Sequence, residues 1–318
     1  MNNANLAKSF ASAILVVAGL TSAHAETFGT GANLFTLDFT TIGNAGNSAD
    51  TNGYGSVGYS YRISKYEISQ NQITAATASG LQNVTAGGWS GDKPAANMSW
   101  YESAAFVNWL NTSKGFAPAY NLSRAGSTWS MALWNPADNG YDANNLFRNS
   151  QAKYFLPSEN EFYKAAFGKS DGSGYYLYPT AGNSAPTAVT SGTGLGTAVY
   201  NQGWVPPGPA SIYQAGGLSS YGTMGQGGNI QEWQESSADG TNDSVGDHRM
   251  VRGGYWYGGA SDALDSSTRS SFGPSTDIVN LGFRVAGVVV VPEPSSLATA
   301  LVGLACCGFS LWRRRNRA

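Results

Sequence analysis

The chain has 318 residues and a formal net charge of −2, with 42% apolar positions, 12% charged positions and 41 glycines. This apolar content is sufficient for a core and excludes a disordered chain. Without the five cations of the terminal segments, residues 26–294 carry a charge of −7, so this part would repel a nucleic acid and we expect no such partner. Those cations are Lys8, Arg313, Arg314, Arg315 and Arg317.

Cysteine and histidine are almost absent from the central part of the chain. Cys306 and Cys307 both lie in an apolar run near the C-terminus, and His24 lies near the N-terminus, which leaves His248 as the central histidine. This inventory excludes central disulfides, thiol catalysis and metal sites that need two cysteines or two histidines.

The N-terminal segment has the pattern of a secretory signal peptide. Lys8 precedes the apolar run 11–20, and the run is followed by the small-residue triplet Ala23-His24-Ala25. A charged start, an apolar stretch and a small-residue end predict export and cleavage after Ala25.

Two strands are predicted in the first part of the remaining chain. Phe35, Leu37 and Phe39 alternate with polar residues, which is typical of a half-buried strand. Alternating aromatic and apolar residues predict a second strand within Tyr59–Ile68.

Three helices are predicted to begin at capping boxes, in which a serine is followed three residues later by Gln or Glu. The second helix has an apolar stripe between 100 and 111, and the third ends before Gly168, a candidate C-cap. The three boxes are Ser69 with Gln72, Ser99 with Glu102, and Ser158 with Glu161.

From Gly168 to Gly227 the chain consists mostly of turn residues, which predicts long irregular loops that carry any specificity. Strand-like pieces return around Tyr255–Tyr257 and Leu281–Val285. The sequence therefore predicts a single α+β domain with few helices and many loops.

The C-terminal segment has three consecutive parts. The first part is a Pro-Glu-Pro triplet, Pro292, Glu293 and Pro294. From Pro294 to Trp312 the chain is uncharged, and this run would span about 28 Å as a helix, close to the thickness of a bilayer core. The cluster Arg313, Arg314 and Arg315 follows at once, and the positive-inside rule keeps it cytoplasmic.

This arrangement resembles the PEP-CTERM sorting signal of Gram-negative bacteria. The resemblance implies recognition by an exosortase, a membrane protease-transpeptidase that would cut near the triplet. Residues 295–312 would then cross the inner membrane only transiently, and the mature protein would reach the cell surface or the extracellular space.

Between these segments, the chain resembles the formylglycine-generating enzyme family, also called the sulfatase-modifying factor domain, which has a loop-rich fold related to C-type lectins. The matching pieces occur in family order between residues 59 and 286. They are Tyr66-Glu67-Ile68-Ser69, Asn97-Met98-Ser99-Trp100, Leu156-Pro157-Ser158-Glu159-Asn160-Glu161-Phe162, Gly228-Asn229-Ile230-Gln231-Glu232-Trp233, Arg252-Gly253-Gly254-Tyr255-Trp256 and Asn280-Leu281-Gly282-Phe283-Arg284.

The oxidase chemistry of that family requires a cysteine pair that this chain lacks. The resemblance places the pair, which binds copper and oxidises a sulfatase cysteine, within Tyr257–Ser267, where no cysteine occurs. Val285, after Arg284, also stands where many members have cysteine. Without a thiolate there is no soft ligand, and we expect no copper.

The resemblance further implies calcium coordination by the Glu232 carboxylate with backbone carbonyls near Gly228 and Ile230. Oxygen ligands in a loop suit this hard cation. Two departures weaken the match, since Gly225 stands where many members have Asp or Asn, and Gln231 replaces a common tryptophan. The alternative is that Glu232 hydrogen-bonds neighbouring amides.

Other residues admit both a functional and a structural interpretation. Glu232 and Glu235 form a carboxylate pair of the kind that acid–base chemistry on a glycosidic bond would need, although spacing alone does not place them across a cleft.

The arginines 252, 269 and 284 could recognise an anion or, as we expect, form structural ion pairs. His248 is expected to be solvated. Several aromatic rings lie in loop-like stretches, where Trp and Tyr suit sugar stacking. We expect most of them to belong to the core, and the alternative is that some contact glycans. They are Trp89, Trp134, Tyr175, Tyr176, Tyr178, Trp204 and Tyr213.

The sequence thus predicts a signal peptide over 1–25, a formylglycine-generating enzyme-like domain over 26–290 and a sorting signal over 291–318. The expected function is that of an exported, non-catalytic module that binds polysaccharide or a surface protein. The alternative is an enzyme with a rebuilt active site.

Overall fold

A five-stranded sheet and a four-stranded sheet contribute to one apolar core in the computed structural model, which describes residues 24–204 and 208–289. The strands are β1 (His24–Phe28), β2 (Phe35–Ile42), β3 (Tyr61–Ser64), β4 (Asn121–Ala125), β5 (Thr128–Ala132), β6 (Tyr154–Phe155), β7 (Thr187–Ala188), β8 (Thr197–Ala198), β9 (Gln231–Ser237), β10 (Arg249–Arg252), β11 (Ser270–Phe272), β12 (Leu281–Phe283) and β13 (Ala286–Val288). The α-helices are α1 (Gln70–Ala78), α2 (Trp100–Ser113) and α3 (Glu159–Phe167), and short 3₁₀ helices cover Gly31–Asn33, Ile212–Gln214 and Ser261–Leu264.

The larger sheet is antiparallel and has the order β1-β2-β3-β13-β6, so the last described strand lies between elements from the first half of the chain. The smaller sheet has the order β11-β10-β9-β12, with β9 and β12 parallel. The result is a mixed α/β single domain rich in loops, as the sequence predicts.

All three predicted capping boxes are present. In each helix the serine side chain accepts from the backbone amide three residues on, and the Gln or Glu side chain accepts from the serine amide. The third helix ends at Phe167, and Gly168 follows with an extended backbone rather than a left-handed one. A side chain at Gly168 would approach the carbonyl oxygen of Lys164 to 2.5 Å, which favours glycine there.

The strand predictions are partly correct. Leu37 and Phe39 are buried on β2 as their alternation predicts, but within the predicted strand 59–68 the observed strand covers Tyr61–Ser64 alone. The predicted strand at Tyr255–Tyr257 is wrong, because β10 ends at Arg252 and the chain turns at Gly253 and Gly254, whose φ angles are +101° and +67°.

The predicted processing sites fall at or beyond the limits of the described chain. Cleavage after Ala25 would remove the first two residues of β1 and leave three paired with β2. The predicted sorting signal over 291–318 lies outside the described residues. Within 24–204 and 208–289, no helix has the length and apolar character to span a bilayer.

Candidate functional site

A buried ion pair lies at the centre of the Gly228–Trp233 segment. The Glu232 carboxylate accepts two hydrogen bonds from the Arg284 guanidinium, Nε to Oε2 at 2.6 Å and Nη2 to Oε1 at 2.7 Å, and neither side chain is exposed. The parallel register of β9 and β12 pairs Glu232 with Gly282, which places Arg284 just beyond the end of β12. Arg284 also donates to the Met224 carbonyl at 2.9 Å.

A left-handed turn before β9 brings a second carboxyl into this cluster. Asn229, with a φ of +57°, donates from Nδ2 to Glu67 Oε2 at 2.7 Å and accepts from the Ala210 amide at 2.7 Å. Gly228 precedes it with a φ of +83°, and a side chain there would come within 2.2 Å of the Val199 carbonyl oxygen. Glycine at 228 is therefore required by both backbone conformation and space.

Glu67 is a fully buried carboxyl that shares one cation with Glu232. Burial, and then the negative charge of Glu232, raises the pKa of Glu67 well above its ordinary value, so the protonated form is more favoured than in a solvated carboxyl group. A Cβ on Gly225 would lie 2.9 Å from the Glu67 carboxyl, which explains why a larger residue does not fit at that position.

The calcium hypothesis for Glu232, Gly228 and Ile230 stays a prediction. Each oxygen of Glu232 already accepts a charged hydrogen bond from Arg284, so a cation at this carboxylate would face a fixed guanidinium. The arrangement suits an ion pair better than a dication site.

The other arginines singled out from the sequence also form ion pairs, as expected. Arg252 and Arg269 both bind Glu159 at the start of α3, at 2.7 Å and 2.8 Å. His248 is exposed, in agreement with the solvated interpretation.

Glu232 and Glu235 do not act on one site as a carboxylate pair. Glu235 accepts from Arg148 Nε at 2.7 Å and from the Tyr120 hydroxyl at 2.8 Å, so each glutamate is neutralised by a different arginine. Arg148, which the sequence analysis missed, also binds Glu161 at 3.1 Å and lies 3.6 Å from the centre of the Phe155 ring. It lies in a loop, and no local pattern distinguishes it.

An aromatic surface lies beside the segment where the oxidase cysteines of related enzymes are expected. We call Trp204, Tyr255, Trp256 and Tyr257 the ring surface. Trp256 is buried, Tyr255 and Tyr257 are half-buried, and Trp204 is 59% exposed. The Trp204 ring stacks on Trp256 with centroids 6.4 Å apart and meets Tyr257 edge to face at 4.6 Å.

Backbone hydrogen bonds fix the position of the ring surface. The Asn201 amide donates to the Gly258 carbonyl and the Gln202 amide to the Trp256 carbonyl, both at 2.8 Å. These bonds hold Asn201 and Gln202, just before Trp204, against the turn that carries the other three rings.

The loop aromatics for which core and glycan-binding interpretations were open divide into two groups. Trp204 and Tyr213 are exposed, and Tyr213 meets Tyr66 edge to face at 4.9 Å. Others support the fold instead, since Trp134 donates to the Ala119 carbonyl and Tyr175 packs against Tyr163. Trp89 packs edge to face on Trp256 beneath the ring surface.

Structural comparison places the chain among proteins of one fold. "Treponema denticola variable protein 1" is 20% identical, with a TM-score of 0.56 over 84% of this chain and 100% of its own. CarF is 19% identical, with a TM-score of 0.58 over 80% of this chain and 99% of its own. At these identities the likeness concerns the fold alone.

Sequence comparison identifies the family. No curated protein matches the chain. The family model described as "Sulfatase-modifying factor enzyme 1-like domain" matches residues 32–288, which is most of the described structure. The chain therefore belongs to the sulfatase-modifying factor enzyme 1-like family.

Proposed function

We propose that the protein is an exported, non-catalytic member of its family that binds polysaccharide at the cell surface or in the extracellular matrix. The observation that carries this proposal is the ring surface next to Tyr257–Ser267, a segment without cysteine. Related oxidases need a copper-binding thiolate pair in this segment. This chain has no cysteine there, and beside the segment it presents the exposed indole of Trp204, supported by three further rings.

The chemistry of these rings favours a sugar. Trp and Tyr rings combine a large apolar face with a polar edge, and the apolar face of a sugar ring stacks on such a surface. The backbone hydrogen bonds of Asn201 and Gln202 position the residues just before Trp204, which lowers the entropy cost of binding.

The route to the surface is part of the proposal. The signal peptide over 1–25 would direct export, and an exosortase would recognise the Pro292-Glu293-Pro294 signal and remove residues 295–312 from the inner membrane. The Arg313–Arg315 cluster would remain on the cytoplasmic side until processing.

We expect Trp204→Ala to weaken glycan binding by about tenfold, equivalent to about 1.4 kcal/mol, because an exposed, well-supported indole has the properties of a binding hot spot. A glycan array would identify the ligand, and titration calorimetry would compare the variants. Phe116→Ala is the matched control, since Phe116 is also exposed but belongs to none of the ring-surface contacts. Equal affinity of Trp204→Ala and the unchanged protein would contradict the proposal.

The same purified protein should be incubated with a cysteine-containing sulfatase peptide and analysed by mass spectrometry. Conversion of the peptide would instead support the rebuilt-enzyme alternative.

Calcium binding is a separate expectation with its own measurement. If Gly228, Ile230 and Glu232 hold calcium, addition of a chelator should lower the melting temperature, because a ligand of the folded state stabilises it by mass action. The Glu232–Arg284 pair argues for a small effect or none. An unchanged melting temperature would remove calcium from the proposed function.

A further inference from the structure

A cavity of about 590 Å³ lies where both ends of the described chain meet the fold. Ala25, near the start of β1, and Val289, the last described residue, both line it. We call it the terminal cavity.

The terminal cavity is electropositive in an otherwise acidic protein. Arg62, Lys114 and Lys153 line it with a single acidic residue, Glu26, which pairs with Arg62. Lys114 and Lys153 form no ion pair with any described residue, and their ammonium groups lie 5.1 Å and 5.8 Å from the ring centres of Phe28 and Phe116. The lining therefore carries an excess of two positive charges, whereas residues 26–294 together carry −7.

The segments that connect the described domain to the two predicted membrane segments are short. Five residues separate Val289 from the start of the predicted span at residue 295, and about the same number separates Ala25 from the apolar run that ends at Leu20. Fully extended, each connection reaches about 20 Å. An anchored precursor must therefore hold the terminal cavity close to the bilayer.

We propose that the terminal cavity faces an anionic phospholipid surface while the precursor is anchored, with Lys114 and Lys153 against the headgroups. The inference rests on the proposed sorting route, which supplies the anchors. Charge complementarity selects the face, since a basic residue near an anionic membrane strengthens binding roughly fivefold. Phe116, 37% exposed at the rim of the cavity, adds an aromatic ring at the interface.

The contact is tested on the full chain reconstituted into two kinds of vesicle, one of phosphatidylcholine and one with 30% phosphatidylglycerol. Flotation first establishes anchoring, and a membrane-impermeant amine reagent followed by mass spectrometry then measures the accessibility of each lysine. We expect labelling of Lys114 and Lys153 to fall about fivefold in the anionic vesicles relative to the neutral ones.

Lys65 and Lys169 are matched controls in the same sample. Each is half-buried and lies over one tyrosine ring, at 5.3 Å and 5.2 Å, but neither lines the terminal cavity. Their labelling should be the same in both vesicles. Lys114→Glu should restore labelling of Lys153 in anionic vesicles, whereas Lys65→Glu, with the same change in net charge, should leave Lys153 protected.

The outcomes separate this inference from the sorting proposal. A chain that floats but shows equal changes at all four lysines, or protection independent of lipid charge, overturns the inference and leaves the anchor in place. A chain that does not float overturns both.

Discussion

Replacing Arg284 by methionine should lower the free energy of unfolding by about 3–5 kcal/mol, because it leaves buried carboxyl groups without their cation. Glu232 would lose both hydrogen bonds from the guanidinium, and Glu67 would remain beside it without any nearby positive charge. In a domain of this size, thermal unfolding should shift downward by roughly 10 °C.

The loss should depend on pH. Without Arg284, the folded state favours the protonated forms of Glu67 and Glu232 more strongly than the unfolded chain does. The native state then binds more protons above the ordinary carboxyl pKa, so its stability falls as pH rises. Denaturation with urea at pH 5 and pH 8 should therefore show a larger deficit at pH 8.

Arg269→Met provides a matched control for this loss. Arg269 is 33% exposed and shares Glu159 with Arg252, so its loss should cost less than about 1 kcal/mol. Glu232→Gln combined with Arg284→Met should recover part of the stability, since it removes the carboxylate that loses both hydrogen bonds from the guanidinium. If Arg284→Met is no more destabilising than Arg269→Met, the buried pair is not a determinant of stability.

Features encoded locally were predictable from the sequence. A capping box joins groups only three residues apart, so Ser99 and Glu102 identify the start of α2 without any knowledge of the fold. Alternation along β2 likewise identifies Leu37 and Phe39 as core residues. The six family motifs predicted the overall fold because their order along the chain is specific.

Features that depend on distant partners were not predictable. Arg284 was expected to form an ion pair, but its partner Glu232 lies 52 residues away and becomes its neighbour through the parallel pairing of β9 and β12. Arg148 lies 87 residues from Glu235, and no periodic pattern connects them. The prediction of a strand at Tyr255–Tyr257 was wrong. Aromatic residues favour strands, but the two glycines just before this segment turn the chain.

Arg148→Met should also destabilise the protein by about 3–5 kcal/mol, because Arg148 neutralises two fully buried glutamates. Burial alone would raise the pKa of Glu161, but the charge and hydrogen bonds of Arg148 outweigh burial and hold that pKa below its ordinary value. Glu161 also completes the capping box of α3 by accepting from the Ser158 amide, so the change affects the start of this helix.

The pH dependence of this stability loss tests whether Arg148 stabilises the fold through its charge. A carboxyl with a lowered folded pKa contributes stability above its unfolded pKa, and this contribution is lost as pH falls through the folded pKa. The difference in free energy of unfolding between the unchanged protein and Arg148→Met should therefore be largest near neutral pH and shrink below about pH 4.

Arg148→Lys keeps the charge but not the planar fork. It should recover only part of the loss, because one ammonium group cannot reproduce the geometry that joins Glu161 and Glu235. A deficit independent of pH would show that Arg148 stabilises the fold through its packing on Phe155 rather than through its charge.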